Sequence, residues 1–265
     1  MNPSADKKLI KVVLLDIEGT TTSISFVSDV LFPYARRELA SFLEKTFENE
    51  ETQADIEELR KLAKEDLAGG KSETVQIPAV GSEKSEIVAA TIKNVLAQMD
   101  TDRKTTALKQ LQGHIWRHGF ESKELQGDLY DDVMVAFNKW RPSIPIFIYS
   151  SGSIAAQKLL FGYNKHGNLR EYLVDHFDTT IGSKLEKQSY LNIFDAITKS
   201  GVVKGEFTTG DILFATDNIK EAIAADEAGV STVLSVRADT APLPAEHPFF
   251  AVTTFADIWN RYRFE

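Results

Sequence analysis

The chain has 265 residues, 43% of them hydrophobic, enough to bury a full core in one large domain or two modest ones. Its net charge of −9 argues against a nucleic-acid surface and favours small cations or metal-bound ligands as partners, and the lack of cysteine excludes disulfides and thiolate chemistry. The leading MNPSADKK is polar and no stretch approaches the ~20 apolar residues of a membrane span, so a soluble, cytoplasmic monomer with no membrane partner is expected, a nuclear pool being left open.

In chain order, residues 9–15 come first, the run LIKVVLL, whose Leu, Ile and Val do not alternate with polar residues and which reads as one buried parallel strand. It runs into Asp16-Ile17-Glu18-Gly19-Thr20-Thr21-Thr22. Strand alternation sends Ile17 to the far face and returns Glu18 to the side of Asp16, so that two carboxylates share the strand's end. Asp-x-Glu-Gly also ends strands that carry no site, since glycine turns and acids tolerate solvent. The sharper reading is a magnesium and phosphate site, where a hard cation relieves the repulsion between two carboxylates.

Helical periodicity follows. Residues 54–68 place Ile56, Leu59 and Leu62 or Ala63 on one face and stop at Gly69-Gly70. Val88, Ile92, Val95, Leu96 and Met99 repeat with the spacing of a second amphipathic helix, and Leu108, Leu111, Ile115 and Trp116 mark a third. These apolar positions are expected to be packing core.

The next strand is IPIFIYS at Ile144, after which strands and helices alternate through HFDTTIG, SYLNIFDAITKSG, DILFATD, NIKEAIAADEAG and STVLSVR. That rhythm belongs to a parallel sheet with helices on its faces. The expected fold is therefore α/β. A Rossmann-like parallel sheet core is formed by residues 9–22 and 129–265, with a helical cap domain, residues 23–128, inserted after the first strand.

Ligands of open α/β sheets bind beyond the carboxyl ends of the strands. There the sequence offers Asp16 and Glu18; the serines Ser150 and Ser151 ahead of a short helix; Lys184 after FDTTIG; and Asp217, with Glu221 one helical turn later. Serine hydroxyls and free amides at a helix start suit an anion, and a lysine at the same edge clamps phosphate oxygens. Together they suit phosphoryl transfer through a carboxylate nucleophile. Asp16 attacks phosphorus, Glu18 moves the proton, Ser150 and Lys184 hold the oxygens, and Mg²⁺ neutralises their charge.

This ordered set, Asp16-Ile17-Glu18-Gly19-Thr20, Ser150, Lys184 and Asp217 with Glu221, resembles the haloacid dehalogenase-like hydrolases. Glu18 stands where that superfamily usually has a second Asp. With the segments LLDIEGTTTSISFV, LFPYARREL, DRKTTALKQLQGHIWRHGF and IYSSGSIAAQKLLFG, it narrows the resemblance to the enolase-phosphatases of methionine salvage, over Leu14 to Arg237. The resemblance implies one Mg²⁺ per subunit and a small phosphorylated substrate, 2,3-diketo-5-methylthiopentyl-1-phosphate. That compound is enolised and then dephosphorylated to 1,2-dihydroxy-3-keto-5-methylthiopentene. By the same resemblance, Asp16, Glu18 and Asp217 are metal positions, with Glu18 acting through its backbone carbonyl, and Ser150, Ser151 and Lys184 are substrate positions. A capped phosphomonoesterase or phosphomutase on a sugar phosphate is the alternative. The enolising base is left open between Glu18 and the helical histidines His114 and His118, and Gln110 with His114 is the pair expected to read the substrate's thioether tail.

Overall fold

The computed structural model describes residues 7–265, and these divide into two compact units. One runs to Val27 and resumes from Gln126 to Glu265; the other is Ser28–Leu125.

The first unit holds eight strands: β1 (Lys8–Ile10), β2 (Val12–Leu15), β3 (Ile146–Tyr149), β4 (Asp175–Phe177), β5 (Ile212–Thr216), β6 (Ser231–Ser235), β7 (Phe250–Val252) and β8 (Tyr262–Phe264). Six of them form a wholly parallel sheet in the order β4-β3-β2-β5-β6-β7. Both faces are buried. Val12, Leu14, Phe147, Tyr149, Ile212 and Phe214 meet Tyr190, Ile193 and Ile197 on one side, while the alternate residues Val13, Leu15, Ile146, Ile148 and Leu213 are equally inaccessible. A strand covered on both faces is apolar at every position, which is why VVLL and IFIY are continuous rather than alternating. The strand expected over residues 9–15 is interrupted at Lys11, whose amide bonds to Asp211 O. Its first half, β1, pairs instead with β8 in a separate two-stranded sheet.

The second unit consists of α1 (Phe32–Thr46), α2 (Glu50–Ala68), α3 (Lys84–Asp100) and α4 (Thr106–Glu121). Helix α4 packs on α1 and α2, and α3 on α1. Gly119 lets α1 approach closely, since a methyl group there would lie 2.6 Å from the Tyr34 ring. Ile56, Leu59 and Ala63 are buried as their spacing requires. In α3 the buried stripe is not the apolar one: Ile87, Val88, Thr91, Asn94, Val95 and Gln98 face inward, whereas Ile92, Leu96 and Met99 are half-exposed. Hydrogen bonds allow this rotation, because Asn94 donates to Val75 O, Gln98 to Asn94 Oδ1, and Thr105 to Gln98 Oε1. Trp116 is half-buried too, its indole N–H donating to Leu31 O at 2.7 Å.

Back in the first unit, α5 (Asp131–Trp140), α6 (Ile154–Gly162), α7 (Lys187–Ser200) and α8 (Ile219–Glu227) alternate with the strands. Among the described residues no helix is long and apolar enough to cross a membrane.

Candidate active site

Strand β2 ends at Leu15, so Asp16 is the first residue beyond it, with its amide still bonded to Ala215 O at 3.0 Å. The chain then closes into a turn. The amides of Thr20, Thr21 and Thr22 all donate to Ile17 O, at 3.2, 2.9 and 2.9 Å, and Gly19 N donates to Thr22 O. Because the pleat stops at Leu15, the alternation expected to bring Glu18 alongside Asp16 does not operate: Asp16 is 5% exposed, whereas the Glu18 side chain is exposed. Two of the threonine hydroxyls tie the turn to the backbone. Thr21 Oγ1 donates to the carbonyls of Asp16 and Ile17, and Thr22 Oγ1 to Asp128 O.

Three further elements bring side chains to this turn. Lys184, in the loop between β4 and α7, places its ammonium 2.6 Å from Asp16 Oδ1 and 2.7 Å from Glu221 Oε2. Asp16 Oδ1 also accepts the Ile17 amide at 2.7 Å. Thr216, at the end of β5, donates to Glu221 Oε2 at 2.8 Å. Asp217 follows it, pressed against the turn so closely that a methyl group on Gly19 would sit 2.5 Å from its Oδ2. Gly19 has φ +68°, so glycine satisfies both the backbone and the contact.

The electrostatics follow from one cation among several acids. Burial alone would pull the Lys184 ammonium down, but Asp16 and Glu221 outweigh it and hold the ammonium above the usual lysine range. Burial and then the Asp16 charge push Asp217 up to about 6, with Glu18 adding to the shift. The same two causes push Glu221 up to about 7 against the pull of Lys184. Carboxylates that resist ionisation beside one another are a place where a divalent cation lowers the energy. Among the described residues no three carboxylate or imidazole side chains converge as a closed ligand set. Asp16 and Asp217, two buried carboxylates at one turn, are the side chains that would hold a hard cation here.

Ser150 follows β3, the neighbour of β2. It is 8% exposed, and its hydroxyl accepts the Gly152 amide at 3.3 Å. Ser151 is exposed, and Ser153 caps α6 by accepting the Ala156 amide. The second unit's candidates are engaged within that unit. Gln110 Nε2 and His114 Nδ1 do share a face, as their spacing requires, but they converge on the buried Asp55 at 2.9 and 2.6 Å, and His114 Nε2 lies 3.3 Å from Glu51. His118 is exposed, edge-on to the Phe42 ring.

One residue had no local signal in the sequence. Arg237, in the loop after β6, donates to Thr20 O at 2.9 Å and to Asp132 at 2.9 Å, sandwiched between the rings of Tyr130 and Phe255. It braces the turn behind Asp16 from the far end of the chain.

Residues 10–229 match the family model described as haloacid dehalogenase-like hydrolase. The chain is 50% identical to the enolase-phosphatase E1 of Naegleria gruberi, over 92% of this chain and 93% of that one. It is 49% identical to a protein of Vitis vinifera named as a probable bifunctional methylthioribulose-1-phosphate dehydratase/enolase-phosphatase E1, over 94% of this chain and 47% of that one. The chain thus spans about half the length of the plant relatives it matches. The crystal structure of the UTR4 protein of Saccharomyces cerevisiae is similar, with a TM-score of 0.71 and 30% identity, covering 93% of this chain and 98% of that one.

Proposed function

Because the chain belongs to the haloacid dehalogenase-like hydrolases, we propose that it is a Mg²⁺-dependent enolase-phosphatase that converts 2,3-diketo-5-methylthiopentyl-1-phosphate into 1,2-dihydroxy-3-keto-5-methylthiopentene and phosphate. The observation that carries the reading is the grip of Lys184 on Asp16 at the carboxyl end of β2, with Asp217 packed on the same turn. The enolase half of the activity is supported by the near-complete match to the Naegleria relative.

In this mechanism an enol forms first: the product's double bond between C1 and C2 requires that a C1 proton leave and the C2 carbonyl oxygen gain one. Glu18, the exposed acid of the turn, takes the C1 proton and delivers it to the C2 oxygen. Asp16 then attacks phosphorus, the bond from phosphorus to the C1 oxygen breaks, and Glu18, reprotonated from solvent, supplies the proton that the leaving oxygen needs. Water gives a proton back to Glu18 and attacks the phosphorus of the resulting acyl phosphate on Asp16, giving orthophosphate and the free carboxylate. Lys184 fixes Asp16 and pairs with the phosphoryl oxygens, and Ser150 and Ser151 hold those oxygens beside β3. Asp16, the Glu18 carbonyl and Asp217 would hold the Mg²⁺, which would supply positive charge beside the phosphoryl group and the enolate.

The test follows two signals at once, phosphate release and the diketone absorbance, from purified protein with the diketo phosphate and Mg²⁺. Loss of the diketone signal ahead of phosphate supports the reading. Phosphate release without any enol product would replace it with a simple phosphomonoesterase.

A further inference from the structure

Lys184 reaches Asp16 from a loop, so the rotamer freedom of its four-carbon stem must be lost before the ammonium is held in one place. The loop is held in an unusual way. Four consecutive peptide carbonyls each accept a side-chain hydrogen bond. Asn192 Nδ2 donates to Ile181 O at 3.0 Å, Tyr149 OH to Gly182 O at 2.9 Å, Ser189 Oγ to Ser183 O at 2.6 Å, and Tyr190 OH to Lys184 O at 2.7 Å. Loop carbonyls ordinarily turn to other backbone groups or to water, so an unbroken row of side-chain donors is a built cradle.

Its donors are rigid. Tyr149, Ser189 and Tyr190 are 0%, 1% and 1% exposed, and three of the four donors, Ser189, Tyr190 and Asn192, stand near the start of α7. Gly182, at φ +138°, allows the contact, since a methyl group there would lie 2.2 Å from Ser189 Oγ. The rings serve a second end: Tyr149 and Phe214 have their centroids 5.8 and 5.9 Å from the Lys184 ammonium, and Tyr190 packs against both. Burial pushes the Tyr149 phenol up to about 12 and raises Tyr190 further, so both hydroxyls keep the proton they donate.

We propose that Tyr149, Ser189, Tyr190 and Asn192 are positioning residues that lock the backbone of the Lys184 loop, so that the ammonium is delivered to Asp16 and to the phosphate of the substrate already oriented. The inference rests on the phosphatase reading above. None of the four touches the reacting atoms; they act through Lys184.

Tyr190→Phe removes one hydroxyl and keeps the ring, so folding is preserved, and Tyr149→Phe does the same for Gly182. The probe is orthophosphate, titrated calorimetrically in the presence of Mg²⁺ into wild type, Tyr190→Phe, Lys184→Met and the double variant. Tyr190→Phe is expected to weaken phosphate binding about tenfold when Lys184 is present and less than about twofold when it is Met, because coupled residues are non-additive. An equal loss in both backgrounds marks Tyr190 as general packing and overturns the proposal. So does unchanged phosphate binding in Tyr190→Phe. Should Lys184→Met not fold, amide exchange replaces it: faster exchange confined to Ser183–Leu185, together with weaker phosphate binding, supports the proposal. Exchange spread over the sheet overturns it. Failure of wild type to bind phosphate at all removes the phosphatase reading, and this inference with it.

Discussion

Asp16 and Thr216 leave neighbouring strands at one level, with Thr216 Oγ1 3.5 Å from Asp16 Oδ2 and only 2.8 Å from Glu221 Oε2. The hydroxyl has one proton, and the shorter contact takes it. Asp16 is thereby held through Oδ1, by Lys184 and the Ile17 amide, while Oδ2 carries the weaker contact and is the oxygen that would attack in the proposed mechanism.

Replacing that nucleophile separates the two half-reactions. Asp16→Asn retains an oxygen for the Ile17 amide, so the turn should persist, yet phosphate release should fall by about 10³-fold or more. Enolisation, which needs no attack on phosphorus, should continue, and phosphorus NMR should show enol phosphate accumulating. Near wild-type phosphate release would exclude a covalent route.

The raised acids predict how stability responds to pH. Between the ordinary carboxylate range and about 6, folded Asp217 holds a proton that the unfolded chain has released, and Glu221 does so up to about 7. Stability of the metal-free protein due to these groups therefore falls as pH rises through that window. Asp217→Asn should be more stable than wild type at pH 8 without metal, with the gap narrowing toward pH 5, and Mg²⁺ should raise the melting temperature of wild type much more than that of the variant. Thermal melts with and without EDTA measure both.

Gly19→Ala should act at two levels. A side chain at φ +68° costs about 1–2 kcal/mol of stability, read by urea unfolding. The new methyl also displaces Asp217, so the Mg²⁺ concentration for half-maximal activity should rise about tenfold, the loss expected when a partner of a metal ligand is disturbed.

Arg237 is 6% exposed at its side chain, and Arg237→Met leaves Thr20 O without its donor and Asp132 with only the Phe255 amide. Losing these contacts should cost about 1–3 kcal/mol in urea unfolding. Under conditions where the variant stays folded, kcat should also fall, since the brace behind the nucleophile turn is gone.

His114→Ala should behave as a packing change in the helical unit. The buried Asp55 keeps Gln110 but loses a 2.6 Å partner, at about 1–3 kcal/mol of stability. Turnover of the diketo phosphate and of a small aryl phosphate should change by the same factor. A selective loss on the diketo phosphate would return His114 to a role in reading the substrate.

Much of the site was legible because the sequence places its chemistry where a parallel sheet must present it. Asp16, Ser150 and Asp217 each follow a continuous apolar strand, and Lys184 closes the loop after another. Side-chain direction was not legible at the same points, since Glu18 depended on a pleat that ends at Leu15. The face of α3 was misjudged because Thr91, Asn94 and Gln98 satisfy one another and their surroundings by hydrogen bonds, which apolar spacing does not report. The strands β7 and β8, three residues each at sheet edges, are too short to carry a period. Arg237 and the carbonyl cradle of the Lys184 loop are relations between distant segments, and no local pattern announces them.

The place of β2 inside the sheet has a consequence for the chain as it is made. Val13 pairs with Ile146 and Leu213, so a ribosome releases Val12–Leu15, a wholly apolar strand, long before either partner exists. The helical insertion must be synthesised in between, which at ordinary elongation rates leaves the strand unmatched for on the order of 10 s. During that interval it is a sticky edge among other nascent chains. Whatever shields this segment during that interval should therefore contribute to yield in a cell, alongside the stability of the finished fold.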